Sequence, residues 1–569
     1  MAVSCRPERI SRMDKFNISQ LLTEAAGKYG SRTALYAPAG KNKSGNYRYD
    51  TLSFEELENL TNAYAAAFRN KGFKKGLRVL MMVKPGLEFA ATVFAVYKTG
   101  AVPVLIDPGM GIKNLLGCIQ QTKPEAVVAI SKAHWARKLY KKYFPAAKIF
   151  FSLGKFPPAD CIRMETIATP AMIKNSGRKF TFATEDTTID DDAVIVFTTG
   201  STGPPKGVIY KHRTFQKQVE IIKNVYHAGP ERVDMSAFPL FALFAVVLGM
   251  PSVIPEMDFT RPACVNPENI IKAVLANNVS FSFGSPALWR TVAAYCIEHK
   301  IQLPSLKTVL MAGAPVTAEL HQMVKQIIAS DGETMVPYGA TEALPAANFT
   351  GSEMLSETAG LTAQGKGYCV GYANPGIEIK IIKCLDQEIS EWQPEWELPA
   401  EQIGEIVVKG AIVKAGYLNL PQPTAMSEIN SADGGKWHRM GDMGYCDAKG
   451  RIWFCGRKNH RVITPERIYY SVCSEAIFNQ HPNVFRTALV DDGSGRPVLF
   501  IEPLPGKWPQ GKTAENKLIA ELKKLGAAYP FTAEINKLIL RQSMPVDIRH
   551  NAKIFREKLA VAAGKIFTD

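Results

Sequence analysis

The sequence predicts an α/β protein of more than one domain. A large N-terminal domain of doubly wound α/β subdomains carries a β-rich subdomain at about 375–457, and a small α+β domain follows. Three observations lead there. At 569 residues the chain is too long for one hydrophobic core. Up to about residue 455, short apolar runs alternate with helical periodicity, the pattern of strands and crossover helices. From Glu378 the helical patterns thin out, and a new alternation begins near Lys458.

The elements follow in order. Ser53 with Glu56 three residues on forms a capping box, and Leu57, Leu60, Tyr64 and Phe68 then recur at helical spacing. Arg78–Val83 reads as a strand, Phe89–Lys98 as a helix and Val102–Ile106 as the next strand; 125–130 and 193–198 are strand-like too. Helices are expected over 268–277 and 318–328, each leading into a strand. Strands over 378–383, 404–409 and 451–455 mark the β-rich subdomain. Domain boundaries are set at 1–457 and 458–569, with strands near 486–490, 496–502 and 535–541 and helices near 472–479, 513–525 and 553–563 in the second.

Composition excludes several classes. The stretch 1–12 has no apolar core of a secretory leader, and the ten cysteines include no C-x-x-C pair, so neither a disulfide scaffold nor a zinc ribbon is expected. Reduced thiols in a cytoplasmic protein are the expectation. Ser236–Pro255 is uncharged over about the length of a bilayer span, but Pro239, Pro251 and Pro255 interrupt it. It is read as a buried helix and strand lining an apolar pocket, with no transmembrane segment. The formal charge is +15, with basic clusters at Lys71–Arg78, Arg137–Lys142 and Arg457–Arg461. None sits among base-stacking aromatics, so no nucleic-acid partner is expected. The clusters are first a solvated face, and second a surface for an anionic substrate or an acidic partner protein.

The most informative segment is Ile195–Val208, IVFTTGSTGPPKGV. A strand ends at Thr198, and the loop then offers Thr199, Gly200, Ser201, Thr202, Gly203 and Lys206. Glycines admit an anion close to the backbone, hydroxyls and amides donate to its oxygens, and the lysine adds charge. The loop suits polyphosphate but is not a Walker A loop, because Lys206 precedes a glycine rather than Ser or Thr.

With this loop the chain resembles the adenylate-forming superfamily of acyl-CoA synthetases, luciferases and peptide-synthetase adenylation domains. Further motifs along nearly the whole chain carry the resemblance. Tyr338-Gly339-Ala340-Thr341-Glu342 is similar to the family's YGxTE motif, which implies that Tyr338 stacks on adenine, Thr341 contacts the adenylate phosphate and Glu342 binds Mg²⁺. Gly313-Ala314-Pro315 resembles the loop beside the adenine. WHRMGDMGY, 437–445, resembles the motif whose aspartate, here Asp442, bonds the ribose hydroxyls. Gly456-Arg457 matches the motif whose arginine reaches ribose and phosphate, Asn459 stands at the hinge, and Asn551-Ala552-Lys553-Ile554 resembles the stretch with the catalytic lysine. The resemblance therefore implies ATP and Mg²⁺ as cofactors, a mobile C-terminal domain and an acyl-adenylate intermediate. Carboxylate attack on phosphate opposes two anions, so Mg²⁺ on Glu342, with Lys206, Arg457 and Lys553, would share the neutralisation.

The departures narrow the reading. CoA ligases of the family commonly carry histidine where Phe238–Phe244 has Ala242, and aspartate or lysine where Asn459 stands. They keep a glycine beyond the hinge, whereas this chain has none between Gly456 and Gly493 and reads Thr464-Pro465-Glu466-Arg467-Ile468 there, taken as a proline-bearing strand. GRKNHRV, YSVCSEAIFNQHP and MPVDIRHNAKIFREKL look like the olefin β-lactone synthetases of bacterial hydrocarbon biosynthesis; PLFALF, GMPSVIPEMD and YGATEALP are similar as well. That resemblance implies a long-chain 2-alkyl-3-hydroxy acid whose own hydroxyl attacks the adenylated carboxyl, no CoA, and a complex with neighbouring pathway enzymes.

An acyl pocket is expected from Phe241, Phe244, Met250 and Phe283, within a larger set that includes Phe238, Val247 and Phe281; core packing explains any one of them equally well. His438, His460 and His550 are candidate bases for the hydroxyl, with His460 first. The alternatives are a medium- or long-chain acyl-CoA or acyl-AMP ligase, separated by CoA dependence, and a scaffold protein without chemistry, separated by ATP–pyrophosphate exchange.

Overall fold

The computed structural model describes residues 15–43, 45, 47–198, 204–546 and 553–567. It divides into two compact units: Met1–Glu256 with Lys272–Ser282 and Lys414–Pro421, and Met257–Ile271 with Phe283–Val413 and Gln422–Asp569.

The first unit is built on an eight-stranded sheet. In spatial order its strands are Gly416–Tyr417, Lys206–Lys211, Asp192–Thr198, Val102–Leu105, Arg78–Met82, Ala126–Ile130, Ile149–Leu153 and Ile162–Arg163. From Arg78–Met82 the chain steps to Val102–Leu105 on one side, then crosses to Ala126–Ile130 on the other. That reversal defines a doubly wound sheet. These strands run in one direction except Lys206–Lys211, which is antiparallel to both of its neighbours, Asp192–Thr198 and Gly416–Tyr417. The helix Phe54–Asn70 carries the expected cap: Ser53 Oγ accepts from the Glu56 amide and the Glu56 carboxylate accepts from the Ser53 amide. Leu87–Lys98 is buried along all of its length except Glu88, as its nearly continuous apolar sequence requires. Its final Lys98 is tolerated inside because Glu58 lies 2.7 Å away.

Ser236–Pro255 folds as expected, into the short helix Phe241–Val247 between the strands Asp234–Ser236 and Ser252–Val253. Among the described residues no helix is long and apolar enough to cross a membrane. The nine described cysteines are free thiols, five of them buried.

In the second unit the parallel pair Thr308–Met311 and Glu333–Ala340 continues into an antiparallel run. That run is Ala343–Thr350, Tyr368–Ala373, Ile452–Arg457, Lys436–Cys446, Gly404–Lys409 and Glu378–Ile382. The β-rich texture read from the sequence is this run. The last part of the unit is an α+β layer. Val484–Asp491, Pro497–Pro503 and Lys537–Leu540 form its sheet, and Ser471–Phe478, Gly511–Ala527 and Arg556–Phe567 are its helices. The last helix begins at Arg556, three residues after the position expected. Phe531 from this layer packs with Trp453, Tyr445 and Cys473, and a side chain at Gly365 would run into its ring. Pro465 does not lie within a strand: Val462–Ile463 and Ile468–Tyr469 pair as a hairpin, and 464–467 is its turn, closed by the Thr464 amide donating to the Arg467 carbonyl at 2.9 Å. A turn accommodates a proline that a ladder position would reject.

Candidate active site

The second unit assembles a polar constellation from residues more than a hundred positions apart. Lys436–Cys446 and Ile452–Arg457 are antiparallel neighbours whose register sets Asp442 directly opposite Arg457. Such cross-strand partners have adjacent side chains, and an Arg457 Nη1 lies 2.8 Å from Asp442 Oδ1. The same guanidinium nitrogen donates to the Met440 carbonyl at 3.2 Å. The other carboxylate oxygen accepts from the Tyr338 hydroxyl at 2.7 Å. Asp442 is buried, and burial raises its carboxyl above the ordinary value while Arg457 and Tyr338 oppose the rise. Tyr338 is pushed well up, first by burial and then by the Asp442 charge, so its hydroxyl remains a donor at neutral pH. Its ring centroid lies 6.5 Å from that of Phe454.

Local backbone chemistry places the rest of that motif. Glu333–Ala340 pairs with Ala343–Thr350 through Ala340 and Ala343, so Thr341 and Glu342 form the two-residue turn between the strands. Gly339, at φ +156°, sits at the bulge before the turn, and any side chain there would drive into the Ala343 carbonyl. Thr308–Met311 is parallel to Glu333–Ala340. Gly313, Ala314 and Pro315, which follow it, therefore lie at the same strand end as the Tyr338 turn, where open α/β sheets bind ligands. Gly313 has φ +93°.

His460 shares this region. Its imidazole is lowered to about 3, first by burial, then by the positive charges of Arg556, Arg457 and Lys553. The structure thus brings Lys553 and His460 into one electrostatic neighbourhood with Arg457. His460 stays neutral at any physiological pH: a hydrogen-bond acceptor, but a weak base. Arg556 is fixed by a two-pronged contact to Glu475, at 2.5 and 2.9 Å, and by the Leu489 carbonyl at 3.0 Å. His438, by contrast, is buried between strands, opposite Val408 and Glu428.

Residues around Asn459 form a cluster that the motifs do not announce. The buried Glu405 accepts from Arg439 at 2.6 Å and from Lys458 at 3.2 Å. Lys458 also donates to the Leu385 carbonyl at 2.5 Å, and Arg461 reaches Asp386 at 3.3 Å. Asn459 is exposed between these two anchored cations, in a single helical turn, Lys458–His460.

In the first unit the strand Asp192–Thr198 ends where expected and turns back antiparallel into Lys206–Lys211, with Thr198 paired to Lys206. The intervening Thr199, Gly200, Ser201, Thr202 and Gly203 lie outside the described residues, as do His550, Asn551 and Ala552. Lys206 Nζ stands 4.8 Å from the Tyr417 ring centroid, and Lys414 Nζ stands 4.4 Å from the same ring. Lys414 and Tyr417 escaped the sequence reading. They arrive because Gly416 and Tyr417 pair with Ile209 and Val208, some two hundred residues earlier.

Of the expected acyl pocket, Phe241 and Phe244 have ring centroids 6.0 Å apart, and Phe281 stacks on Phe241 at 5.9 Å. Phe215 joins Phe244 at 5.8 Å. Met250 is fully buried, and Ala242, at the family's histidine position, is buried without a polar atom. Phe283 belongs to the second unit. Among the described residues no group of three or more His, Cys, Asp or Glu side chains is placed to hold a metal ion. Glu342 alone fits a magnesium that arrives with a nucleotide, because Mg²⁺ is commonly bound through one carboxylate together with phosphate oxygens.

One unit is doubly wound, its strand Asp192–Thr198 leading into the glycine-rich sequence 199–203, and the other holds an aspartate braced by tyrosine and arginine; both are parts that a nucleotide-using ligase requires. The model of the AMP-binding enzyme family matches residues 22–418. Over 557 residues the chain is 40% identical to an olefin β-lactone synthetase of Xanthomonas campestris pv. campestris, covering 96% of this chain and 98% of the relative. A second such synthetase, from Stenotrophomonas maltophilia, is 39% identical over 559 residues, with the same coverage of 96% and 98%. In fold, the amide bond synthetase McbA from Marinactinospora thermotolerans superposes with a TM-score of 0.76 at 20% identity, over 96% of this chain and 99% of that one. The chain belongs to the AMP-binding enzymes and, within them, to the family of olefin β-lactone synthetases. It is an ATP-dependent, acyl-adenylate-forming ligase.

Proposed function

We propose that this enzyme adenylates a long-chain 2-alkyl-3-hydroxy fatty acid, and that the 3-hydroxyl of the same molecule closes a β-lactone. In the first step a carboxylate oxygen attacks the α-phosphorus of ATP and pyrophosphate leaves. In the second the 3-hydroxyl oxygen attacks the acyl carbon, its proton passes to a base or to solvent, and AMP leaves. Asp442 would accept the ribose hydroxyls, Tyr338 would present its face to adenine, and Thr341, Arg457, Lys206 and Lys553 would hold the phosphate oxygens. The loop 199–203, with Thr198, would cradle the polyphosphate, and Gly313, Ala314 and Pro315 would flank the base. Magnesium bound by Glu342 would offset charge on the departing pyrophosphate.

The observation that carries adenylation is the Asp442 carboxylate held at 2.7 Å by Tyr338 and 2.8 Å by Arg457. Lactone closure is supported by end-to-end identity of 40% with a relative named for that reaction. Phe241, Phe244, Met250 and Phe283 would line the alkyl channel. His460, neutral among three cations, would accept the hydrogen bond of the attacking hydroxyl. The domain boundary would fall at Arg457–Lys458 with Asn459 as hinge, consistent with its exposure between anchored neighbours. CoA would not be needed, since Ala242 offers no polar group. We place the enzyme in the cytoplasm, in a complex with neighbouring enzymes of hydrocarbon synthesis.

The deciding experiment supplies ATP, Mg²⁺ and a synthetic long-chain 2-alkyl-3-hydroxy acid, with and without CoA, and identifies the organic product. A β-lactone formed equally fast in both, with AMP, is the expected result. A CoA thioester formed only with CoA refutes the lactone step and leaves an acyl-CoA ligase.

A further inference from the structure

The basic cluster Arg137–Lys142 lies far along the chain from every motif assigned above, and its surroundings are unusual. The helix Ser131–Leu139 turns His134 and Arg137 inward, where the Arg137 guanidinium stacks 3.6 Å from the Phe150 ring centroid and reaches Asp160 at 2.8 Å. Trp135 and Leu139, four residues apart and so on one helix face, are 57% and 78% exposed. Phe156, on the loop after the strand Ile149–Leu153, is 84% exposed. Its backbone has φ +56°, a conformation an aromatic residue seldom adopts. The Trp135 indole N–H donates to the Phe156 carbonyl at 3.0 Å, so the two exposed residues are tied together rather than scattered. A solvated face explains the lysines but not three large apolar side chains held out in water.

Charge decides what would cover them. Between Ser131 and Phe156 the sequence carries seven Lys and Arg and no Asp or Glu. Asp160 engages Arg137 and Lys138, leaving Lys132, Lys141, Lys142, Lys148 and Lys155 as further exposed cations of the stretch. Protein interfaces deplete lysine at their centres. A short helix bearing an exposed tryptophan among lysines instead matches the bilayer boundary, where rings settle at headgroup depth and lysines meet anionic lipid.

We propose that Trp135, Leu139 and Phe156, with the lysines of 132–155, dock this enzyme reversibly on an anionic phospholipid surface. The inference rests on the surface alone. It would also put the enzyme where a long-chain hydroxy acid partitions, but it does not require that substrate. The test is co-sedimentation of the full chain with phosphatidylcholine vesicles, with or without about a third phosphatidylglycerol, at low and high salt. Binding is expected only to the anionic vesicles, and to weaken with salt. Lys141→Glu with Lys142→Glu and Lys155→Glu should weaken it about a hundredfold. Leu139→Ser with Phe156→Ser should weaken it roughly tenfold or more, with ATP–pyrophosphate exchange in solution unchanged in both variants. Sedimentation with neither vesicle, equal sedimentation with both, or undiminished binding by either folded variant overturns the proposal. Because exchange and lactone formation are measured separately, failure here leaves the catalytic reading untouched.

Discussion

Replacing Asp442 by asparagine is the sharpest probe of the site. The side chain is 5% exposed, and its two oxygens accept from Tyr338 at 2.7 Å and meet Arg457 at 2.8 Å. Asparagine has the same shape, but only one oxygen. Facing Arg457, the amide must present its oxygen, which leaves its NH₂ toward Tyr338 and no acceptor for a second ribose hydroxyl. A hydrogen bond to a charged group is worth about 1.5–3 kcal/mol, so losing one or two lowers kcat/KM for ATP by between about one and four orders of magnitude. Stability moves far less. The variant also removes a buried charge, and Arg457, 42% exposed at its side chain, can turn to water. ATP–pyrophosphate exchange, with the KM for ATP measured separately, gives the first quantity, and thermal melting the second. Exchange and KM both within threefold of the parent would refute the ribose assignment; a collapse of the melting temperature would show that Asp442 is structural.

Other outcomes follow from the same geometry. Gly339→Ala should lose exchange activity by about a hundredfold or more, because the Ala343 carbonyl blocks the new methyl and the Thr341–Glu342 turn must shift; a near-normal rate would remove that turn from the site. His212 and His321 are lowered to about 4 and His460 to about 3, chiefly by burial. Unfolded histidines take up protons first, so stability is full above about pH 6.5 and falls as pH drops toward 4; melting between pH 4 and 8 reads this, and an unchanged midpoint from pH 7 to 5 would contradict it. Asp234 runs the other way. Burial raises it to about 7, against hydrogen bonds from Ser236 and Ser252 at 2.6 Å each. Its contribution is therefore full below about pH 4 and is lost as pH rises through 7. Asp234→Asn should raise the melting temperature at pH 8 relative to that at pH 5, and an equal shift at both would refute the assignment.

What was legible in the sequence was local. The capping box at Ser53 and Glu56 specifies its helix because both of its hydrogen bonds close within four residues. The buried helix Leu87–Lys98 and the strands at Arg78, Val102 and Ala126 announce themselves by apolar runs of the right length. Contacts between distant segments were not legible from periodicity. The return of Lys414–Pro421 to the edge of the first sheet, which brings Lys414 and Tyr417 to Lys206, has no local signature. Tyr338 and Asp442, 104 residues apart, entered only through motif resemblance. The depressed pKa of His460 comes first from burial, then from Arg457 close by in sequence and from Lys553 and Arg556 on one distant segment, so its weakness as a base could not be read from its neighbours in sequence alone. Pro465, at the second position of 464–467, is itself a turn signal, but the residues on either side do not reveal which segments the turn joins; that is settled only by the pairing of Val462 with Tyr469.

The linker residues bear on why one active site could serve both half-reactions. Lys458 and Arg461 are tied to Glu405, Asp386 and the Leu385 carbonyl on either side of Asn459. On the proposed hinge, rotation at Asn459 would break the Arg461–Asp386 contact beyond it, while Lys458, before it, stays with Arg439 on Glu405, 3% exposed at its side chain. An enzyme that must admit a second substrate after adenylation has reason to bear that cost. An enzyme whose nucleophile is already bound, on the carbon two removed from the activated carboxyl carbon, has none, because proximity supplies the orientation that rotation would otherwise arrange. On the proposed reaction the anchored linker and the tight Thr464–Arg467 turn are compatible with catalysis in a single arrangement. The same features would be obstacles in a ligase that must pass a thiol arm to its adenylate.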